Sequence, residues 1–408
     1  MTCRSCNSQS LFPFLDLGSA PPSNAYLSEN DLRAPELWFP LRVKVCASCW
    51  LVQTDDYAGR EALFSDDYAY FSSYSESWLR HAEEYVAKVA QRFHLNDASL
   101  VVEVAANDGY LLKYVKERGI PCYGIEPTAS TAAVAREQGI DIVEQFFGIA
   151  LARELADADR QADLLVANNV LAHVPDINDF VSGFAALLKP AGVVTFEFPH
   201  LLNLIQEKQF DTVYHEHYSY LSLLAVQGIL ERHGLAVFDV ETLPTHGGSL
   251  RVYAQLATTG VHRCEPSVDR LLAREKAAGV DTRAFYDGFQ SECEGIKNGL
   301  LAFLLESHRE GLTVAGYGAA AKANTLLNFA GVRPDLVSFI VDRSPWKQGK
   351  FMPGSHIPVV GEGTLETMRP DRIIVFPWNL ADEIARQLEY TRSWGAELYR
   401  LVPDCRRL

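Results

Sequence analysis

Four polar side chains follow one another near the middle of the chain, in the run Tyr214, His215, Glu216 and His217. Tyrosine, histidine and glutamate give, take or relay protons, so this run could carry general acid–base catalysis near a reacting group. In an extended segment, His215 and His217 would instead point to one face and could be metal ligands. A run of this kind is costly to bury without a purpose, so we expect a functional site here.

A second group with chemical potential is a pair of Cys-x-x-Cys motifs, Cys3/Cys6 and Cys46/Cys49. Each motif places two thiolates on one short loop, and two such loops form a closed tetrahedral site that suits Zn²⁺. Such a site leaves no coordination position for substrate, so the zinc is expected to be structural. The alternative is a redox-active pair or unrelated buried thiols.

Residues 100–117 predict a buried strand, a small-residue turn and an amphipathic helix, which is the first unit of a doubly wound sheet. The next strand ends at Glu126, 23 positions after Glu103, near the offset at which an acid binds ribose hydroxyls. Ala105 and Asn107 stand where dinucleotide-binding proteins have glycine. A ligand without a pyrophosphate therefore fits this turn better.

Strands and helices continue to alternate after this unit. The central segment predicts a strand over 163–170, a helix that ends in a turn at 189–192, and a strand over 193–197. Two long amphipathic helices follow. A second, smaller α/β unit then predicts strands over 312–318, 337–342 and 373–379.

Composition narrows the partners of the protein. The chain has 408 residues, 48% of them hydrophobic, and a net charge of −15. This charge disfavours nucleic acid and anionic membranes as partners. The sequence shows no apolar run long enough to span a membrane and no signal-peptide pattern. We therefore expect a cytoplasmic globular protein of two or three domains, a monomer or weak oligomer.

The strand 1 acid with its glycine turn, the acidic end of strand 2 and the Leu-Lys-Pro-Ala-Gly turn resemble class I S-adenosylmethionine-dependent methyltransferases. The resemblance implies that Glu126 holds the ribose and that the turn from Ala105 to Gly109 faces the methionine moiety. It also implies that Phe146 or Phe147 stacks on adenine, with ordinary core packing as the alternative. The cofactor-binding residues expected on this basis are Tyr68, Glu103, Ala105, Asn107, Gly109, Glu126, Phe146, Phe147, Asn168 and Asn169.

Across the whole chain, several motifs in order are similar to the nucleotide-sugar C-methyltransferases, which methylate a deoxysugar carbon beside a ketone. Besides the cysteine pairs, the motifs are residues 103–109, 214–217, 245–251, 316–322 and 353–358. The resemblance implies an α/β protein with a Cys₄ zinc-binding domain, a class I Rossmann-like methyltransferase domain, linking helices and a C-terminal Rossmann-like domain for the nucleotide sugar. The implied bounds are 1–65, 66–255, 256–310 and 311–408.

Methylation of a carbon beside a 4-keto group requires a base for the α-proton and a donor for the enolate oxygen. The resemblance implies His217 as the base, Tyr214 as proton relay or enolate donor, Glu216 as the group that orients one of them, and His173 near the sugar. Whether His217 or Tyr214 takes the proton stays open.

The substrate is expected to be a dTDP-linked sugar methylated at C-3. Gly316 and Gly318 at a strand end, with the helix amides after them and Lys322, would form an anion cradle. The full set of expected substrate-binding residues is His246, Gly247, Arg251, Gly316, Gly318, Lys322, Asp342, Lys347, His356 and Trp378. Surface charge and aromatic packing are the alternatives for the last three of these.

Two other functions compete with this one. The chain could be a methyltransferase of another small molecule, or of RNA or protein that its zinc module presents. The charge of −15 disfavours RNA. The chain could also be a non-catalytic protein that holds S-adenosylmethionine or a nucleotide sugar. The intact Tyr214, Glu216 and His217 argue against that.

Overall fold

The computed structural model describes residues 2–55, 57 and 72–408, and its strands form three sheets. The N-terminal sheet begins with three antiparallel strands: β1 (Leu11–Ala20), β2 (Phe39–Cys46) and β3 (Val52–Thr54). A short 3₁₀ helix, Asp31–Arg33, lies in the long connection between β1 and β2. Because β2 ends at Cys46, the sheet holds one cysteine pair beside the loop that carries the other.

The four sulfur atoms of Cys3, Cys6, Cys46 and Cys49 all lie within 4.8 Å of one another. Two of the separations are 3.5 Å, between Cys3 and Cys49, and 3.6 Å, between Cys6 and Cys46. Sulfurs placed about 2.3 Å from a central Zn²⁺ in a tetrahedron would be about 3.8 Å apart. A hydrogen bond from the Cys49 thiol lowers the pKa of Cys3 to about 5, which favours a thiolate. The geometry and the donor set therefore fit a closed zinc site.

The central sheet has seven strands in the order β10-β11-β8-β7-β4-β5-β6, and β4 to β8 run parallel. In chain order this region comprises α1 (Glu76–Arg92), β4 (Val101–Val104), α2 (Leu112–Glu117), β5 (Cys122–Ile125), α3 (Ala129–Glu137), β6 (Asp141–Val143), α4 (Ile149–Asp157), β7 (Ala162–Asn168), α5 (Ile177–Leu187), β8 (Leu188–Pro199), α6 (Leu201–Gln206), β9 (Ser219–Tyr220), α7 (Leu223–Arg232), β10 (Leu235–Leu243) and β11 (Ser249–Leu256). Separate apolar clusters cover its two faces. The predicted doubly wound sheet is confirmed.

One local prediction in this sheet is wrong. The helix expected to end in the turn at 189–192 stops at Leu187, and β8 begins at the next residue. In the pairing with β7, Leu188 faces Ala162 and Val193 faces Leu164. Residues 189–192 thus form a bulge within the strand instead of a separate turn.

Two helices, α8 (Pro266–Ala278) and α9 (Phe289–Arg309), link the central sheet to a third sheet. That sheet has the order β14-β13-β12-β15-β16-β17 and is parallel except at β17. Its elements are β12 (Val314–Tyr317), α10 (Ala321–Ala330), β13 (Ile340–Val341), β14 (Val359–Val360), α11 (Gly363–Met368), β15 (Arg372–Val375), α12 (Ala381–Gln387), β16 (Glu397–Arg400) and β17 (Arg406–Arg407). Among the described residues, no helix combines the length and apolar composition of a membrane-spanning segment.

The N-terminal sheet is completed by a strand from far along the chain. Strand β9 pairs with β3, with Tyr220 facing Val52 and Ser219 facing Gln53. One apolar cluster also joins β1 and β2 to α9 and the third sheet, and Phe14 stacks on Phe289 at 5.0 Å. The zinc module is therefore packed into the protein on two sides.

A buried hydrogen-bonded pair, His200 and Glu275, fixes α8 to the central region. The Glu275 carboxylate lies 2.7 Å from His200 Nε2, and both side chains are only 1% exposed. Its two oxygens also accept the backbone N–H groups of Leu223 and Leu224, at the start of α7. One carboxylate thus serves three buried donors.

Metal analysis should find one zinc per chain, and Cys46→Ser should lose most of it because a buried ligand is removed. Atomic emission and thiol titration of the denatured protein measure the two quantities. Cys405→Ser, which changes an exposed cysteine far from the cluster, is the matched control and should keep its zinc. Less than half an equivalent of zinc with four free thiols would contradict the site.

Replacing Glu275 with Leu should lower the free energy of unfolding by about 3–5 kcal/mol, because three buried donors lose their acceptor. Urea unfolding measures this difference. The matched control is Asp287→Ala, which removes an exposed partner of Arg283 and should cost less than about 0.5 kcal/mol. Equal losses in the free energy of unfolding would show that the buried Glu275 hydrogen bonds stabilise the fold no more than an exposed pair does.

Candidate active site

The polar run lies between a 3₁₀ helix, Phe210–Thr212, and β9, where nearly every residue is buried. The ring nitrogen Nδ1 of His217 is 3.0 Å from the Thr212 carbonyl oxygen, and Nε2 is 2.7 Å from the Tyr214 hydroxyl. A carbonyl oxygen only accepts, so Nδ1 carries the hydrogen and donates it. The Nε2 lone pair of the neutral ring is then free to accept the proton of the Tyr214 hydroxyl.

A second imidazole adjoins this pair. The His173 ring lies at the end of the 3₁₀ helix Leu171–His173, with its centroid 4.5 Å from that of His217. His173 Nδ1 donates to the backbone carbonyl of Glu216 at 2.9 Å. Burial lowers the pKa of His173 to about 4, and burial together with His173 holds the pKa of His217 well below its usual value. Both rings are neutral at pH 7.

The Glu216 side chain contacts the N-terminal module. Its carboxylate accepts hydrogen bonds from the backbone N–H and side-chain amide of Asn24, at 3.2 and 3.1 Å. Burial raises its pKa. The carbonyl of Thr212 orients the His217 ring, and the expected orienting role of Glu216 stays a prediction.

The metal alternative for the polar run receives no support from the geometry. His215 Nε2 donates to the carbonyl of Phe39 at 3.2 Å, so its ring packs on the N-terminal sheet while His217 packs on His173. Across the part of the chain that the structure describes, only the four cysteines bring three or more candidate ligand atoms together.

On the other side of the site, the turn after β4 has three residues with positive φ: Ala105 (59°), Asn107 (50°) and Gly109 (80°). The Glu126 carboxylate accepts the Asn107 N–H at 3.0 Å and so joins the end of β5 to this turn. Glu103 is completely buried beneath it, and its carboxyl group interacts with the Tyr110 hydroxyl. Burial raises the pKa of Glu103 well above its usual value.

The two phenylalanines predicted to contact adenine occupy different environments. The Phe147 ring packs in the core, 4.9 Å from the ring of Phe184 and 5.6 Å from that of Phe180. Phe146 is 41% exposed. The core reading therefore holds for Phe147, and Phe146 stays a cofactor candidate. Tyr68 lies outside the described residues.

Asn168 ends β7, and Asn169 follows it and contacts the segment that carries His246. The Asn168 side chain is buried, and its Oδ1 has no partner in the described chain. Asn169 has a φ of 53°, and its side-chain nitrogen is 3.4 Å from His246 Nε2. Burial lowers the pKa of His246 to about 4. His246 thus lies beside Asn169 and the Trp78 ring. Its expected place on the sugar side of the site stays a prediction.

Trp378 of the C-terminal domain contacts the segment that carries His246. Gly247 has a φ of 85°, and a Cβ there would stand 2.4 Å from the Trp378 ring, so only glycine allows this approach. Trp378 Nε1 donates to Asp211 at 2.7 Å. Lys322 Nζ lies 4.0 Å from the centre of the same ring and donates to Asn379 Oδ1 at 2.7 Å. Residues from both domains thus meet beside the polar run.

Arg251 does not line the cleft as predicted. It is 3% exposed and donates to Glu197 at 2.6 Å, directly across the ladder between β11 and β8. The same carboxylate contacts His81 Nε2 at 2.9 Å and accepts the Thr245 hydroxyl at 3.1 Å. Arg251 is thus a packing and charge-pairing residue that supports the turn carrying His246.

Three side chains predicted to bind substrate in the C-terminal domain have internal partners, and a fourth predicted residue, Gly316, lies inside a strand. Asp342 accepts the N–H of Ala319 at 2.8 Å and pairs with Lys347 at 3.3 Å, so it fills part of the predicted anion cradle. His356 pairs with Glu36 of the N-terminal module at 3.1 Å. Gly316 lies inside β12, where a Cβ would stand 2.6 Å from the Phe376 ring.

Gly318 fits the predicted turn better than Gly316 does. It has a φ of 89°, and a Cβ there would stand 2.4 Å from the ring of Pro377. Glycine at 318 therefore allows the turn that precedes α10 to pass close to the segment carrying Trp378.

Sequence reasoning missed several residues of the site. They are Trp78, His81, Glu197, Asp211 and Thr212. The Trp78 ring lies 5.2 Å from that of His246 and 5.0 Å from that of His81. The sequence could have identified Glu197, because a charged residue in an otherwise apolar buried strand needs partners.

Three family models match the chain in order: a zinc binding domain over residues 3–64, a methyltransferase domain over 78–240, and a C-methyltransferase C-terminal domain over 244–403. The chain is 34% identical to the C-methyltransferase NovU of Streptomyces niveus over 394 residues, which cover 96% of this chain and 93% of that protein.

Solved structures with a similar fold cover about half of the chain. The 1,6-didemethyltoxoflavin-N1-methyltransferase of Burkholderia thailandensis shares 18% identity over 50% of this chain and 95% of its own, with a TM-score of 0.38. The magnesium protoporphyrin IX methyltransferase of Synechocystis PCC 6803 shares 16% over 43% and 78%, with a TM-score of 0.34. Because the likeness to NovU spans nearly the whole of both proteins, the chain belongs to the zinc-containing, S-adenosylmethionine-dependent C-methyltransferases.

Proposed function

We propose that the protein methylates a carbon, C-3, next to the 4-keto group of a nucleotide-linked deoxysugar, with dTDP as the expected nucleotide. The observation that carries the chemistry is the hydrogen-bonded chain from Tyr214 through His217 to the Thr212 carbonyl. The sugar assignment is supported by the order along the sequence of the motifs that resemble nucleotide-sugar C-methyltransferases, at residues 103–109, 214–217, 245–251, 316–322 and 353–358. The net charge of −15 disfavours RNA as the alternative substrate.

A carbon beside a ketone becomes nucleophilic only when its proton is removed. Tyr214 is half-buried and His217 is 8% exposed, so the tyrosine hydroxyl is the outer member of the pair. We infer that the Tyr214 oxygen takes the carbon-bound proton while its own proton passes to His217 Nε2. His217 keeps its Nδ1–H bond to Thr212 throughout. A positioned acid–base group of this kind contributes about 10²–10⁴-fold to the rate.

The residues around the β4 turn fit S-adenosylmethionine. Glu103 places a buried carboxyl group, next to the Tyr110 hydroxyl, in β4 beneath the turn expected to face the methionine moiety. Glu126 stands at the strand end where an acid binds ribose hydroxyls, and Phe146, which is 41% exposed, is the aromatic candidate for adenine. When bound, the cofactor supplies an electrophilic methyl group.

The diphosphate of the substrate is expected at the start of α10. The first backbone N–H groups of a helix lack partners within it and favour anions. Ala319 is already occupied by Asp342, so the amides of the first helical turn beyond it are the available donors. His173 and His246 are half-buried; His173 packs on the His217 ring and His246 lies beside Asn169.

His217→Asn and Tyr214→Phe should each lower turnover by at least about a hundredfold, because each breaks the proton path. S-adenosylmethionine affinity, measured by calorimetry, should stay within about twofold, since neither group lies at the cofactor turn. His308→Asn and Tyr390→Phe, which change exposed residues of the same types, are the matched controls. Near wild-type turnover in both active-site variants would overturn the assignment.

The acid limb of the profile of kcat/KM against pH should lie well below pH 6.5. The pKa values of His173 and His217 are lowered, so both rings stay neutral as the pH falls and gain a proton only in more acidic solution. Initial rates between pH 5 and pH 8, with circular dichroism to verify folding, measure the limb. A half-loss of activity centred near pH 6.5 would mean that an ordinary histidine controls the rate.

A further inference from the structure

Lys322 is a half-buried cation at the junction of the two domains. It stands in the first turn of α10, its ammonium group lies over the indole of Trp378, and one N–H is given to the neutral side-chain oxygen of Asn379. A lysine ammonium has three donors, so its hydrogen-bonding capacity is only partly used by these contacts.

No carboxylate in the described part of the chain lies within ion-pair distance of Lys322, although the side chain is partly removed from water. The acid that acts on it is Asp211, whose Oδ2 already accepts the Trp378 N–H. Burial raises the pKa of Asp211 to about 6. A desolvated cation without a paired anion is costly, and an anionic ligand would offset that cost.

The helix that carries Lys322 is hydrogen-bonded to the polar run. The Thr325 hydroxyl of α10 donates to the carbonyl of Val213, the residue before Tyr214, at 2.8 Å. Lys322 also lies over Trp378, which donates to Asp211. The other lysine of this region, Lys347, is bound to Asp342 and to the Ala319 carbonyl.

We propose that Lys322 binds the oxygen of the substrate's ketone and stabilises the enolate, an inference that rests on the proposed function. As Tyr214 takes the carbon-bound proton, the electron pair of that bond forms the carbon–carbon double bond, and the carbonyl π pair moves to oxygen. Lys322 holds the resulting oxyanion. Attack of the carbon on the cofactor's methyl group would break the sulfur–methyl bond, release S-adenosylhomocysteine and restore the ketone, with the removed proton left on the Tyr214–His217 pair. A phosphate oxygen of the nucleotide offers the same chemistry, so the test must separate the two.

Exchange of the proton beside the ketone with deuterated water reports enolate formation without methyl transfer. The probe is a TDP-4-keto-6-deoxy sugar with S-adenosylhomocysteine present, and mass spectrometry measures deuterium uptake. Lys322→Met should lower the exchange rate at saturating sugar at least about a hundredfold, as loss of one oxyanion donor does elsewhere. Thymidine diphosphate affinity, measured by calorimetry, should change by less than about twofold.

The opposite pattern overturns the inference: thymidine diphosphate binding weakened more than about tenfold, with exchange at saturating sugar retained, would assign Lys322 to the phosphates. Lys297→Met is the matched control, because Lys297 also lies over an aromatic ring, that of Phe329, but outside the site. It should leave both quantities unchanged. Equal exchange rates in the wild type and Lys322→Met would overturn the role of Lys322 but leave the proposed function standing. No exchange in the wild type would overturn both the role of Lys322 and the proposed function.

A second variant decides the question even if Lys322→Met folds poorly. Burial lowers the pKa of Lys322 to about 8, and the titratable groups that face it are Asp211, His217 and His246. A lysine is charged below its pKa, so wild-type exchange should fall as the pH rises through about 8. Lys322→Arg keeps its charge and should move this alkaline limb upward by more than about one pH unit. An unmoved limb contradicts the inference.

Discussion

The hydrogen bond from His217 Nδ1 to the Thr212 carbonyl is the constraint on which the active site depends. It fixes the tautomer of the ring, and the tautomer decides that Nε2 can accept the proton of Tyr214. Without it, the ring could turn or exchange its proton between nitrogens, and the tyrosine would lose its acceptor. The surrounding structure holds the residues 212–218 in the one conformation that makes this bond.

Much of that support comes from the zinc module. The Thr54 hydroxyl donates to the backbone carbonyl of His217 at 3.2 Å, and Asn24 holds the Glu216 carboxylate. Arg4, inside the first cysteine pair, donates to the Thr54 carbonyl at 2.8 Å and lies 5.2 Å from the Tyr218 ring. A metal that takes no part in the chemistry therefore stabilises the loops against which the catalytic residues pack.

Local patterns in the sequence predicted the parts of the protein that depend on local structure. The cysteine spacing, the β4 turn and the strand–helix alternation are of this kind, and the family confirms the enzyme class, the cofactor and the zinc. Side-chain contacts between residues distant in the sequence could not be predicted, because they depend on how the strands and domains pack. Arg251 lies in a glycine-containing motif that suggested a ligand, yet strand register places it opposite Glu197. Likewise, only the packing of the N-terminal module shows that Glu216 meets Asn24.

The proposed enolate would form inside a chain with a strongly negative net charge. Burial raises the pKa values of Glu103, Asp211 and Glu216, which weakens the negative field of the carboxyl groups packed near the reaction. The same burial keeps His173, His217 and His246 neutral, so they add no positive charge of their own. In the proposed mechanism, Lys322 supplies the positive charge at the ketone oxygen, and low polarity makes that charge act more strongly than it would in water. A net charge of −15 is compatible with this arrangement because local geometry, more than the total charge, sets the potential at one oxygen atom.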